Sequence, residues 1–146
     1  MDNQEYGKVS KEIRNYKIAR MNVLLFIVFT VLNLFMLLID RYFLFSVYTV
    51  LVCFATGFGL KEAAIEVGAA SPNLYLGIGI AFGLAILAVF FVMWLLSKKR
   101  RWAMIVLLVL FSLDSVMVLL DMVSGEGAAM IIDLAIHGVM LYYLIL

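Results

Sequence analysis

"LYLGIGIAFGLAILAVFFVMWLL", residues 74–96, runs for 23 residues without one charged side chain. As a helix it would extend ~34 Å, enough to cross a bilayer hydrocarbon core of roughly 30 Å. The same reading extends to its neighbours. Met21–Ile39 and Tyr42–Leu60 are uncharged too, while Trp102–Val123 and Ala128–Leu146 are interrupted only by acidic residues or histidine. Hydrophobic residues make up 66% of the chain, where a soluble domain holds about half. In lipid the backbone must satisfy its own hydrogen bonds, and no stretch has the ten-residue alternation of a barrel strand. The expected fold class is therefore all-α: an integral membrane protein with a compact bundle of five membrane-embedded helices, four or five of them spanning.

Residues 1–20 form the one sizeable polar segment. Lys8, Lys11, Arg14, Lys17 and Arg20 recur every three residues, and Tyr6, Val9, Ile13 and Tyr16 follow one helical face. This pattern predicts an amphipathic helix on the membrane surface, with its cations toward anionic headgroups. The same charges hold that end of the chain in the cytoplasm. Five charges alone do not specify a lipid. The expected organisation is thus residues 1–20 as a cytoplasmic basic helix and 21–146 as a single bundle, with segments 21–39, 42–60, 74–97, 102–123 and 128–146.

A second basic cluster, Lys98, Lys99, Arg100 and Arg101, precedes the interfacial Trp102, and here charge and hydropathy disagree. Five crossings would place six Lys/Arg in the cytoplasm and five outside. If residues 42–60 dip back instead, four crossings remain and the balance becomes nine against two. Only Asp40 and Arg41 separate the first two runs, which makes an ordinary hairpin tight. Residues 59–73, "GLKEAAIEVGAASPN", read as the longest loop after the N-terminus, with Glu62 and Glu66 on one face of a short exposed helix and Pro72 stopping any helix before the next span.

Several function classes fall away. A net charge of +1 argues against nucleic-acid binding, which needs a basic face with many phosphate contacts. The single Cys53 has no partner for a disulfide and no zinc-site neighbours. The first apolar run is longer than a signal h-region and lacks a small-x-small cleavage site, so it is expected to stay as a span. There is no P-loop, dinucleotide fingerprint or nucleophile elbow. No cofactor and no metal are expected.

What remains is the ionisable residues of the C-terminal hairpin. Counted from the 124–127 turn at 1.5 Å per residue, Asp121 lies ~6 Å deep, Asp133 ~12 Å, and Asp114 and His137 ~16 and ~18 Å, near the midplane. Asp114 and Asp121 share one face and Asp133 and His137 another, so facing helices would present all four as a column. Asn22 and Asn33 add a polar stripe on the first span, which Asp40 extends. A carboxylate at that depth costs about 2.5 to 3.5 kcal/mol on insertion scales, so its retention asks for a reason.

Three readings compete. In the first, Asp114 bonds His137, Ser112 or Ser115 and only locks the bundle; Asp114→Asn would then keep the hydrogen bonding and leave function intact. In the second, Asp114 and His137 relay protons or cations, and the same change abolishes flux. In the third, the acidic residues and histidine hold a metal that acts on a lipid substrate. One histidine with scattered aspartates is a poor transition-metal set, and no HExxH motif is present. Gly79 and Gly83 form a GxxxG pair that lets two helices approach closely, within this chain or between copies.

"IARMNVLLFIVFTVLNLFMLL", "YFLFS", "KKRRWAMIVLLVLFSLDS" and "MIIDLAIHGVMLYYLI" together resemble a group of small multi-span membrane proteins of Gram-positive, Firmicutes-type bacteria. No activity is known for that group, so the resemblance implies a bacterial plasma membrane and carries over no catalytic residue. The leading expectation is a non-enzymatic subunit or scaffold acting through transmembrane helix contacts, as a homo-oligomer or within a larger membrane complex. A small proton- or cation-coupled transporter using Asp114 and His137 is the alternative, and a metal-dependent intramembrane enzyme the second alternative.

Overall fold

In the computed structural model, which describes residues 3–37, 39, 46–124 and 127–145, the chain folds as five α-helices. They are α1 (Asn3–Leu37), α2 (Tyr48–Glu66), α3 (Pro72–Leu96), α4 (Arg101–Ser124) and α5 (Gly127–Ile145). Helices α1 to α4 are long and apolar enough to cross a membrane, and α5 carries a shorter apolar stretch, Ile131–Ile145. Asp40 and Arg41, at the first inter-run boundary, and Gly125 and Glu126, in the terminal turn, lie outside the described residues.

Helix α1 joins two segments that the sequence separates. Its 35 residues are unbroken, so the basic segment continues into the first span with no intervening turn to lay it on a surface. Neither glycine nor proline occurs between Lys8 and Leu37 to interrupt the ladder. At ~52 Å the helix exceeds the hydrocarbon core by ~20 Å.

The second apolar run forms a helix six residues later than expected, from Tyr48 rather than residue 42. It continues without a break through "LKEAAIE", which the sequence reading assigns to a separate short helix within a loop. These are strong helix formers, and the stop comes only at Gly68. There φ is +69°, Gly68 N–H donates to Ile65 O at 3.1 Å and Ala69 N–H to Ala64 O at 2.9 Å. That paired arrangement is a Schellman cap, whose left-handed residue favours glycine. Pro72 does not end a helix; it opens α3, where a missing N–H costs nothing.

Helices α2 and α3 pack as a close antiparallel pair through glycine. A Cβ on Gly79 would lie 2.6 Å from Cys53 O and 2.7 Å from Gly57 Cα, and one on Gly83 would lie 2.5 Å from the Phe54 ring. The GxxxG face is therefore filled by α2 of the same chain.

At one end of the bundle, α1 is tied to the end of α3. Tyr16 Oη donates to Ser97 O at 2.5 Å, Arg20 Nε to Ser97 Oγ at 2.8 Å, and Trp94 Nε1 to Arg20 O at 3.0 Å. The Arg20 guanidinium sits 5.6 Å above the Trp94 ring. Both basic segments thus occupy the same end. The core lies beyond them, around Val23, Phe26, Leu107, Phe111 and Met140.

Candidate functional site

Helix α2 begins inside the bundle. Val47 and Val50 are fully buried, and Val47 N–H donates to Thr30 Oγ1 at 2.8 Å while that hydroxyl donates to Phe26 O at 2.7 Å. Thr30 stands ten residues beyond Arg20, ~15 Å along α1. A helix start leaves N–H groups without intrahelical partners, which must be paired from elsewhere in the fold.

Asp114 supplies the cap from α4. Its Oδ2 accepts Tyr48 N–H at 3.0 Å, and its Oδ1 accepts Thr49 N–H at 2.7 Å and the Thr49 hydroxyl at 2.5 Å. These are the first two residues of α2, where the helix dipole favours a negative charge. The Tyr48 hydroxyl donates to Asp121, two helical turns along α4 from Asp114. A cap normally comes from the preceding residue; here Val47 cannot serve.

From the other side comes His137 of α5, its Nε2 3.0 Å from Asp114 Oδ2. Its Nδ1 lies 2.8 Å from the backbone carbonyl oxygen of Asp133 and 3.8 Å from Asp133 Oδ1. A carbonyl only accepts, so Nδ1 carries a hydrogen. Two bare acceptors cannot face each other at hydrogen-bond distance, so one further hydrogen sits between Nε2 and Oδ2. The ring is clamped by stacking on Phe111, centroids 4.9 Å apart, and by the edge of Phe26 at 5.5 Å. Asp114 is 1% exposed and His137 not at all.

The structure therefore brings Asp114, Asp133 and His137 together, and hands Asp121 to Tyr48. Ser112 and Ser115 do not reach Asp114; each bonds the carbonyl four residues back, Leu108 O and Phe111 O, at 2.8 Å. Asn33 is buried one turn beyond Thr30, whereas Asn22 is half-buried near Arg20 and apart from the junction. Three donors from Tyr48 and Thr49, together with the His137 ring, surround the two Asp114 oxygens. Among the described residues, no three His, Cys, Asp or Glu side chains gather as metal ligands.

Sequence reasoning missed Thr30, Tyr48 and Thr49. The signal was "SVYT", residues 46–49, a polar interruption in an otherwise apolar run. It gives no hint that the acceptor lies 65 residues away on α4.

No protein-family model, no curated protein and no solved structure matches this chain.

Proposed function

We propose that this chain is a multi-pass protein of a bacterial plasma membrane, with a cytoplasmic N-terminus, that acts without catalysis as a subunit or scaffold through its transmembrane helices. Four helices cross in this reading: α1, α3, α4 and α5. Helix α2 starts near the midplane and leaves by the side opposite the basic segments. Nine Lys/Arg then lie in the cytoplasm against two outside, the asymmetry expected of an inserted protein.

One observation carries the scaffold reading. Both oxygens of Asp114 are engaged in joining α2, α4 and α5. The buried charge has a structural reason at the place where a free helix start would otherwise be unpaired. Because α2 fills the Gly79–Gly83 face, a partner helix would meet an outer face instead. Leu74, Ile78 and Phe82 of α3 form one such exposed stripe at four-residue spacing.

The hydrogen shared by Asp114 and His137 favours a second reading, proton exchange at the midplane. Proton flux into liposomes separates the two, with wild type beside His137→Gln, whose amide can still donate to Asp114. The scaffold reading expects no flux above protein-free liposomes between pH 5 and 8 in either protein. Flux in the wild type that disappears in a folded His137→Gln would replace it with the relay.

A further inference from the structure

At the end of the bundle opposite the extramembrane part of α2, a groove of about 730 Å3 opens between α1, the α3–α4 turn and the end of α5. Six cations line it: Lys17, Arg20, Lys98, Lys99, Arg100 and Arg101, against the single carboxylate of Glu12. Among the described residues, no carboxylate lies within 4.0 Å of any of the six; the close contacts of that kind involve His137 instead. Six cations beside one carboxylate repel one another and draw in an anion.

The groove is also prepared for a particular shape of anion. Arg20 is held in place by Ser97 Oγ and the Trp94 ring, which removes much of the rotamer freedom an arginine would lose on binding. The first turn of α4 begins at Arg101, adding the positive end of a 24-residue helix to the same place. Ile13, Ala19, Met104 and Leu144 add an apolar wall beside the cations. Cations beside an apolar wall at the end of a membrane bundle match an amphiphile with a phosphate head. A soluble phosphate would use the cations and leave the wall bare.

We infer that this groove binds the phosphate headgroup of an anionic phospholipid, with its acyl chains along the Ile13–Met104–Leu144 wall. Such a site goes beyond general attraction of basic residues to the leaflet, because the cations share one walled groove. It fixes the height of the basic end against the membrane and makes stability of the bundle depend on lipid type.

The test is thermal unfolding of the purified full chain in neutral detergent micelles, titrated with phosphatidylglycerol, phosphatidylcholine or inorganic phosphate. Phosphatidylglycerol is expected to raise the Tm, with neither of the others matching it. In Arg100→Gln/Arg101→Gln the apparent affinity for phosphatidylglycerol should fall by ~30-fold, about fivefold per cation. Lys11→Gln/Arg14→Gln removes the same charge from a separate shallow hollow and should leave the affinity within twofold of wild type. Equal shifts with phosphatidylcholine, equal shifts with inorganic phosphate, or equal weakening by both double substitutions would overturn the site. Both pairs lie on exposed positions, and unfolding of either variant without lipid shows directly that it is folded.

Discussion

Asp114 turns an apparent liability into the junction of the fold. Alone in an apolar interior, a carboxylate is costly; held by Tyr48, Thr49 and His137 at a helix start, it offsets the N–H groups that α2 would leave unpaired. This overturns the expectation that Asp114→Asn preserves the bonding. Both carboxylate oxygens face donors, so whichever oxygen becomes an amide nitrogen points N–H groups at N–H groups. Unfolding in detergent should show Asp114→Asn destabilised by about 2 kcal/mol or more, and His137→Gln by less, about 1 kcal/mol. Equal stability of Asp114→Asn and wild type would remove the cap from this account. The pairing of Asp114 with His137 was legible in the sequence, because a depth count on two antiparallel helices puts them level. The role of Asp114 was not, since the groups it caps belong to α2, and spacing along α4 and α5 carries no information about a third helix.

Among the elements, the α2–α3 pair shows how much a small-residue motif leaves open. GxxxG signals a close approach but not the partner. Here the two glycines are unequal. A methyl on Gly79 meets backbone on both sides, Cys53 O and Gly57 Cα, whereas one on Gly83 meets the Phe54 ring, which can rotate away. Gly77 has nothing within 4 Å of a built Cβ. Thermal unfolding should therefore rank Gly79→Ala as most destabilised, by about 1–3 kcal/mol. Gly83→Ala should follow, and Gly77→Ala should be neutral or gain up to about 1 kcal/mol of helix propensity. Gly83→Ala costing more than Gly79→Ala would contradict this packing. The shifted start of α2 has the same origin as the hidden partner. Apolar composition marks where a chain is content in lipid, but the helix begins where its first N–H groups find acceptors, at Thr30 and Asp114.

For the whole molecule, the membrane class was legible from apolar runs alone. The number of crossings was not: the charge count favoured four, while hydropathy favoured five, because residues 42–60 are long enough to cross. The proposed four crossings rest on the contact between α1 and the end of α3, where Arg20 bonds Ser97 and puts both basic segments at one end. The continuous α1 was not legible either, since amphipathic and fully apolar stretches look like separate elements until one helical ladder is seen to run through both. The measurement that tests this arrangement most directly is labelling by a membrane-impermeant thiol reagent, using single cysteines Lys11→Cys and Lys99→Cys in a Cys53→Ser background. The four-crossing bundle predicts that both positions are protected in intact cells and both react in inverted membrane vesicles. Labelling of one position from each side would restore five crossings, and with them a second helix that passes through the membrane instead of starting within it.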